Sequence, residues 1–355
     1  MSLSYSINQI IADAIERRVF PGAVVLVARG GQTLHQAAYG TTMYDAPGSR
    51  PVDGATIYDI ASLTKVFTAT AVLALCQRGL LDLDERAAAY LPELRAGEVR
   101  LRHLLTHTSG LDIRLSTLRH HGRAGLMAAA FEAAQIHPPG ARVAYTNVNA
   151  LLLGEIVTRL HGAPLDTALR ELVIAPLGLA ETGFTPAPEQ FARIAPTEID
   201  DEWRGGLVHG SVHDESTHAL GGVAGHAGLF STAQDQARFC QAWLDLVAAG
   251  NGPLAALIDP HLARDACRNH TAGLNLACGL GWMLDRANFM GAAPPGSFGH
   301  TGFTGPAIVV VPAQGLVVVL LCNRVYPRRS PPPYAHHAVT AAVVEAALGA
   351  GGSGS

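Results

Sequence analysis

The chain has 355 residues, of which 48% are hydrophobic and 15% charged, with 38 Gly, 21 Pro and a formal net charge of −4. This composition is typical of a compact globular protein with many turns and excludes an intrinsically disordered chain. The basic residues form no run longer than Arg328-Arg329 and no apolar stretch is long enough to span a membrane, so we expect neither nucleic acid nor a membrane as a partner.

The first 60 residues begin with a predicted helix and continue into a predicted hairpin. Isoleucines recur at helical spacing over residues 5–18. Residues 22–40 then form two strand-like runs around Gly30-Gly31, which is typical of an antiparallel hairpin. The first residues lack a basic start followed by an apolar run, so the sequence as given predicts no signal peptide and a cytoplasmic location.

The middle of the chain predicts a helical region. Residues 61–215 are rich in Ala and Leu at helical spacing, and Pro-Gly breaks such as Pro138-Pro139-Gly140 interrupt them. Thr232, with an acidic residue three positions later, is typical of a further helix start.

The C-terminal part predicts strands again. Residues 306–325 read as a hairpin that turns at 312–315, and its strands are so continuously apolar that both faces of the sheet should be covered. A helix-like stretch follows at 335–348. The last residues, GGSGS at 351–355, resemble a linker or tag.

Strands at both chain ends with helices between them predict an α+β fold. We expect an antiparallel sheet built from both ends and flanked by helices, with an inserted helical subdomain. The predicted domains are a discontinuous α/β subdomain of residues 1–60 plus 216–350, and a helical subdomain of residues 61–215. The five cysteines are scattered and unpatterned, so we interpret them as small apolar core residues and not as a disulfide framework.

Lys65 is the only lysine of the chain, because every other basic residue is arginine. A guanidinium stays protonated in proteins, whereas a buried ammonium can lose its proton and act as a base. Lys65 is therefore a position where deprotonation is expected to matter.

Ser62 precedes this lysine by three residues, which places both side chains on one helix face. An adjacent neutral amine can take the proton of a serine hydroxyl and make it a nucleophile. The helix N-terminus would also favour developing negative charge. The alternative is an ordinary helix start in which Ser62 is a cap.

Two further short motifs contain residues that can act as a base or contact a ligand. Tyr145 and Asn147 come immediately before an apolar helix. A phenol near an ammonium has its charged form favoured, so Tyr145 can be a base, and Asn147 offers a donor and an acceptor. The alternative is a packed aromatic residue and a helix cap. His300-Thr301-Gly302 lies on or beside a strand where small glycines let a ligand approach, or it is only a turn.

Ser62-x-x-Lys65, Tyr145-x-Asn147 and His300-Thr301-Gly302, in this order, strongly resemble the serine β-lactamase and penicillin-binding-protein superfamily. The branch they most resemble contains class C β-lactamases, DD-peptidases and family VIII carboxylesterases. The stretches LRHLLTHTSGL (101–111), GGVAGHAGLFSTAQDQARF (221–239) and GLGWM (279–283) look like this family as well. The resemblance covers roughly residues 5 to 348 and implies the β-lactamase/DD-peptidase-like fold.

The resemblance also implies roles for individual residues. Ser62 would be the nucleophile that forms an acyl-enzyme, and Lys65 and Tyr145 would share proton transfer. Asn147 would hold the acyl side chain and Thr301 would face the substrate. The backbone N–H groups of Ser62 and of Phe303, the residue after Gly302, would form the oxyanion hole. No cofactor and no metal is implied.

His300 departs from a pattern that often begins with Lys at this place. An imidazole has an ordinary pKa near 6.5, so its charge at neutral pH is not fixed, and the case for an efficient β-lactamase is weaker. We also find no Glu-x-x-x-Asn arrangement of the class A kind and no G-x-S-x-G elbow in the body of the chain.

The histidines outside these motifs have simpler interpretations. His209, His213, Asp214, Glu215 and His218 cluster in one stretch, but His213 and His218 are five residues apart, not the four of a helical zinc motif. We interpret this stretch as a loop at the rim of the substrate cleft. The pairs His120-His121 and His336-His337 are interpreted as solvated surface.

The expected function is a serine hydrolase, most simply an esterase that acts on a small ester, amide or β-lactam substrate. The alternatives are a DD-peptidase or D-amino-acid peptidase, a weak β-lactamase, and a β-lactam-binding sensor that acylates without turnover. The lack of an export signal in the sequence as given favours the esterase over a peptidoglycan enzyme. The sequence leaves the oligomeric state open.

Overall fold

The computed structural model describes residues 2–332 and 334–350, so the predicted linker at 351–355 lies outside the described residues. The chain alternates short strands with helices. The helices are α1 (Leu3–Glu16), α2 (Thr64–Gln77), α3 (Ala87–Tyr90), α4 (Leu101–Leu105), α5 (Gly122–Phe131), α6 (Asn147–His161), α7 (Leu165–Leu169), α8 (Glu215–Ala219), α9 (Ala233–Ala249), α10 (Pro260–Ala266), α11 (Ala287–Met290) and α12 (Ala335–Gly349). The strands are β1 (Gly22–Arg29), β2 (Gln32–Gly40), β3 (Tyr58–Asp59), β4 (Leu111–Asp112), β5 (Ala134–Gln135), β6 (Gly183–Phe184), β7 (Ile199–Asp200), β8 (Gly206–Leu207), β9 (Leu229–Ser231), β10 (Met283–Leu284), β11 (Phe298–Thr301), β12 (Ala307–Val311) and β13 (Leu316–Cys322).

The main sheet joins both ends of the chain. Its six strands run in the order β10-β11-β12-β13-β1-β2, and every neighbouring pair is antiparallel. The N-terminal strand β1 pairs with the C-terminal strand β13, with Val25 opposite Leu320. Both predicted hairpins are present, and the second turns through Pro312–Gln314 and Gly315 as expected. The α+β prediction is confirmed.

Apolar side chains cover both faces of this sheet, because β1, β12 and β13 are buried along nearly their whole length. On one face, alternate residues such as Val25 and Val318 pack with α1 and α12. On the other face, Val24 and Val319 join a large cluster that includes α2, α6 and α9. The sheet is therefore a fixed platform, and β11 holds its residues beside the start of α2.

Helices α1 and α9 begin close to their predicted positions. The predicted helix at 5–18 is α1, which begins after an N-cap at Ser2 and ends at Glu16. The predicted helix start at Thr232 is confirmed, because the Thr232 side chain accepts a hydrogen bond from the Asp235 amide at the start of α9.

One surface prediction is wrong. The sequence predicts a solvated His336, but only 1% of this residue is exposed, because it lies on the buried face of α12 with Val339 and Val343. Burial lowers the pKa of His336 to about 2, so this histidine is neutral. His120 and His121 are exposed, as expected.

Most of the remaining helices lie between β3 and β9 in the sequence, and α2 packs against α6 there. The division of the chain at residues 60/61 and 215/216 stays a prediction.

The cysteines are free thiols, as expected for core residues. Four of them are buried, namely Cys240, Cys267, Cys278 and Cys322, and Cys76 is half-buried. In residues 2–332 and 334–350, no helix combines the length and apolar character needed to cross a bilayer.

Candidate active site

Ser62 and Lys65 lie where the chain passes from β3 into α2. A 3₁₀ turn at Ala61–Leu63 leads into the helix, so Lys65 comes one turn after Ser62 on the same face. Ala61 has φ +45°, a left-handed conformation that is unusual for a residue with a side chain and occurs mostly where surrounding contacts enforce it. The buried Asp59 carboxylate holds this turn by accepting from the Ala61 amide at 2.8 Å.

Lys65 is buried, and its side-chain nitrogen makes three hydrogen bonds. Its Nζ donates to Ser62 Oγ at 2.8 Å, to Asn147 Oδ1 at 2.9 Å and to the His226 carbonyl at 3.1 Å. Burial lowers the pKa of Lys65 to about 7, although the nearby Asp214 carboxylate acts in the opposite direction. A substantial share of this lysine is therefore a neutral amine near neutral pH, as its proposed base role requires.

Tyr145 lies beside the same group, with its ring centroid 4.8 Å from Lys65 Nζ. The side chain is partly exposed along the cleft, but burial of the phenol raises its pKa above the ordinary value, against a smaller lowering by the Ser62 hydroxyl. The pKa of Tyr145 thus shifts in the direction opposite to the one expected beside an ammonium, because desolvation by burial is the largest cause. Tyr145 is a neutral phenol that can donate a proton.

Asn147 is the first residue of α6, and Thr146 before it occupies the N-cap position. Its carboxamide bridges two charged groups, because Oδ1 accepts from Lys65 and Nδ2 lies 3.4 Å from Asp214 Oδ2. The structure thus brings Asn147 to the Ser62–Lys65 pair across 82 residues of sequence.

The third motif reaches the site from the sheet. His300 is 1% exposed at the end of β11, and burial together with the charge of Lys65 lowers its pKa to about 3. Its Nδ1 lies 2.9 Å from the Thr301 carbonyl. His300 is thus a neutral imidazole and provides no fixed positive charge, whereas Thr301 is partly exposed.

Gly302 and Phe303 continue from this strand past the turn that carries Ser62. A side chain at Gly302 would lie 2.7 Å from the Ile60 carbonyl, so the two segments approach closely only because this residue is glycine. The amide N–H of Phe303 makes no backbone hydrogen bond within the described residues. That donor remains free for a ligand atom, which agrees with the oxyanion-hole role that the resemblance implies.

Several residues of the site were not identified from sequence. Asp59 joins three segments, because it accepts from the Ala61 and His213 amides and its carbonyl accepts from Thr304 Oγ1. The ring of His107 packs on Tyr145 at 4.6 Å between centroids. His107 belongs to the family-like stretch 101–111, so a signal existed for it, whereas nothing local in the sequence distinguishes Asp59.

The stretch expected to be a loop at the cleft rim is partly helical, because Glu215 and His218 lie on α8. Its side chains join a network of charged and polar groups. His213 Nε2 lies 2.8 Å from Glu198 Oε2, and Arg329 bridges Glu198 and Glu215. His209 and His218 contact other groups, namely backbone carbonyls of 191 and 194 and the ring of Trp203. Among the described residues, no three His, Cys, Asp or Glu side chains converge in a geometry that could hold a metal ion.

An open cleft of about 590 Å³ lies over the Ser62 hydroxyl. Its lining residues come from separate parts of the chain: Ala61, Ser62, Arg114, Ser116, Tyr145, Asn147, His213, Asp214, Glu215, Ala227, Phe303, Arg329, Ser330, Pro331, Pro332 and Tyr334. A second groove of about 620 Å³, between α5, α6 and residues 220–225, contains none of the site residues. The cleft over Ser62 is therefore the candidate active site.

The fold and this site define a serine hydrolase of the β-lactamase, DD-peptidase and esterase kind. The chain belongs to the Beta-lactamase family, whose sequence profile matches residues 7–342. The resemblance found in the sequence is thereby confirmed across nearly the whole described chain.

The proteins that this chain is similar to have names that indicate different activities. A protein of Escherichia coli (strain K12) named "Putative D-alanyl-D-alanine carboxypeptidase" is 29% identical over 346 residues, which cover 86% of this chain and 79% of the relative. Two solved structures share the fold. EstCE1, "a hydrolase with promiscuous acyltransferase activity", has a TM-score of 0.77 and 21% identity and covers 96% of this chain and 98% of its own. A β-lactamase from Sulfitobacter sp. EE-36 has a TM-score of 0.77 and 24% identity, with 98% of both chains covered.

Proposed function

We propose that this protein hydrolyses small neutral esters through an acyl-enzyme formed at Ser62. The observation that supports this most directly is the 2.8 Å contact between Ser62 Oγ and a buried Lys65 amine whose pKa is about 7. Near neutral pH this amine can accept the serine proton, which is the requirement for a serine nucleophile.

In the acylation step, Ser62 Oγ bonds to the ester carbonyl carbon while its proton passes to Lys65 Nζ. The carbonyl π electrons move onto oxygen, which lies against the N–H groups of Ser62 and Phe303. Such donors are effective because the charge develops only in the transition state, and loss of one typically costs about 3 kcal/mol. The tetrahedral intermediate then collapses and the alkoxide leaves.

The leaving alkoxide needs a proton, and Tyr145 is suited to provide it. Its raised pKa keeps the phenol protonated, so it can donate to the alkoxide and regain a proton from the Lys65 ammonium. In deacylation a water molecule replaces the alcohol and the protons move in the reverse direction. Ser62 and neutral Lys65 are restored.

The neutral state of His300 supports a preference for neutral substrates. A permanent cation at this position would favour the carboxylate of a β-lactam or a C-terminal peptide, and His300 does not supply one. The guanidinium of Arg329, in the cleft wall, is already paired with the carboxylates of Glu198 and Glu215. We therefore place ester hydrolysis above β-lactam hydrolysis for this protein.

A DD-carboxypeptidase is the second candidate. The name of the 29% identical Escherichia coli relative favours it, and exposed Arg114 in the cleft is a cation that a peptide carboxylate can approach. A weak β-lactamase and a sensor that acylates without turnover use the same nucleophile. A burst of product without subsequent turnover would identify the sensor.

The test combines covalent labelling with a substrate panel. A fluorophosphonate probe, followed by peptide mass spectrometry, should modify Ser62, and Ser62→Ala should be neither labelled nor active on p-nitrophenyl butyrate. Nitrocefin and a D-Ala-D-Ala peptide assayed in parallel separate the candidates. Full ester hydrolysis by folded Ser62→Ala would overturn the mechanism.

A further inference from the structure

Asp214 lies beside Asn147 in the cleft wall, and the proposed reaction steps assign it no role. One of its carboxylate oxygens is occupied by structural contacts. Oδ1 accepts from Ser216 Oγ at 2.6 Å and from the Thr217 amide at 2.8 Å, and it lies 3.2 Å from His226 Nε2. These bonds make Asp214 the N-cap of α8.

The other oxygen is not needed for the cap. Oδ2 lies 3.4 Å from Asn147 Nδ2, and the Oδ1 of the same carboxamide accepts from Lys65 Nζ at 2.9 Å. An amide rotated by half a turn would place its NH₂ against the Lys65 donor and its oxygen against the carboxylate. Both contacts would be repulsive, so Asp214 allows only the orientation in which Asn147 accepts from Lys65.

His226 connects the same two groups a second time. Its ring is 0% exposed and faces Asp214, and its backbone carbonyl accepts from Lys65 Nζ at 3.1 Å. Two of the three acceptors of Lys65 are thus fixed through Asp214, one by its Oδ2 and one by its contact with the His226 ring. The third acceptor is the nucleophile itself.

We propose that Asp214 is a positioning residue that orients the Asn147 carboxamide and, through it and by its own negative charge, controls the proton affinity of Lys65. This inference rests on the proposed function, because it concerns the base of that reaction. Asp214 itself does not touch the reacting atoms.

The charges around Lys65 favour this role. The titratable groups that face it are Tyr145 before α6, His107 after α4, His300 on β11 and Asp214 before α8. Tyr145 is a neutral phenol, and burial lowers the pKa of His107 and of His300 to about 3, so all three are uncharged at neutral pH.

Asp214 is different, because it stays ionised. Burial acts to raise the pKa of its carboxyl, but the facing His226 and the hydrogen bonds from His226, Ser216 and Thr217 lower it well below the usual range. Its negative charge favours the protonated form of Lys65. Removal of that charge must therefore shift the lysine titration to lower pH.

The experiment is a pH profile of kcat/KM on p-nitrophenyl butyrate for wild type and Asp214→Asn. Asparagine caps a helix as well as aspartate does, so the substitution retains α8. We expect the acidic limb to move down by about half a pH unit or more. A purely structural cap would not move it. Asp214→Ser also keeps a capping oxygen while it removes the charge, and it should shift the limb in the same direction.

Glu215→Gln is the matched control, since it removes the same charge one residue further along the cleft wall. Glu215 pairs with Arg329 and does not contact Asn147 or Lys65. The acidic limb of the kcat/KM profile should therefore stay within about 0.2 pH units of wild type. Thermal melting verifies the folding of each variant.

A double-mutant cycle with Asn147→Ala tests the positioning step. We expect Asp214→Asn to lower kcat about tenfold in wild type and much less in the Asn147→Ala background, because the carboxamide that it orients is then absent. An unshifted limb in folded Asp214→Asn and Asp214→Ser, or additive losses in the cycle, would overturn the proposal. Fluorophosphonate labelling separates this outcome from failure of the proposed function. A wild type that is not labelled at Ser62 refutes the function, whereas a labelled wild type with an unshifted limb in these variants refutes only the role of Asp214.

Discussion

Lys65 Nζ and Ser62 Oγ lie 2.8 Å apart on one helix face, with the lysine buried and the serine open to the cleft. The arrangement places the amine where water does not stabilise its charge, and it leaves the hydroxyl accessible to a substrate.

The pH dependence of kcat/KM should follow Lys65. Below its pKa of about 7 the lysine is protonated and cannot accept the serine proton, so kcat/KM should rise about tenfold per pH unit toward neutrality and level off above pH 7. His300 and His107, with pKa values of about 3, contribute nothing in this range. Because the pKa of Tyr145 is raised, no alkaline decline is expected below about pH 10. A profile that is flat from about pH 5.5 to 8.5 would contradict the assignment.

Substrate preference should reflect the neutral His300. We expect kcat/KM for p-nitrophenyl acetate or butyrate to exceed that for nitrocefin, since no fixed charge at this position binds the cephalosporin carboxylate. EDTA should leave ester hydrolysis unchanged, because the proposed steps use only side chains and water. A higher kcat/KM for nitrocefin, measured under the same conditions, would refute this preference.

Much of the site could be predicted from the sequence because its chemistry depends on local spacing. Ser62 and Lys65 share a helix face through their separation alone, and the uniqueness of Lys65 among the basic residues is visible in the sequence itself. The apolar hairpin at 306–325 likewise fixes two central strands of the sheet.

The remaining features depend on burial, which spacing does not reveal. A phenol near an ammonium is expected to have a lowered pKa, but desolvation by burial raises the pKa of Tyr145 instead. The sequence predicts His336 at the surface, whereas the packing of α12 buries it. Asp214 is one acid in a histidine-rich stretch of sequence, and only its distance to Asn147 indicates a different role.

Arg114 should affect anionic substrates selectively. It lines the cleft, is exposed and forms none of the ion pairs found in residues 2–332 and 334–350, whereas Arg329 is held by Glu198 and Glu215. Arg114→Gln should raise KM for nitrocefin about two- to fivefold, the size of an exposed ion pair, and leave KM for p-nitrophenyl butyrate unchanged. Arg78→Gln, at the exposed end of α2, serves as the control. An equal change for both substrates would count against charge recognition by Arg114.

Gly302→Ala should impair catalysis without unfolding the protein. The added methyl group would lie 2.7 Å from the Ile60 carbonyl, so the segment that carries the Phe303 amide must move away from Ser62. A misplacement of about 1 Å in an active site can cost roughly 100-fold in rate. For the smaller shift expected here, we predict that kcat falls at least about tenfold. Gly97→Ala is the matched control, because its added methyl group would meet no atom within 4 Å. Wild-type kcat in folded Gly302→Ala would show that this close approach is not required.

Lys65→Arg distinguishes a base from a simple positive charge. The substitution retains a cation of similar length, but a guanidinium does not deprotonate near neutral pH, so it cannot accept the Ser62 proton or return one to Tyr145. Loss of a positioned base typically costs on the order of 100- to 10,000-fold in rate, and we expect a fall in kcat of that size on p-nitrophenyl butyrate. Circular dichroism and a thermal melt establish that the variant is folded. If Lys65 acted only by its charge on Tyr145 and the substrate, Lys65→Arg would keep most of the activity. A folded variant within about tenfold of wild type would therefore remove Lys65 from the proton transfer and leave it an electrostatic role, since a positioned base normally contributes more than that.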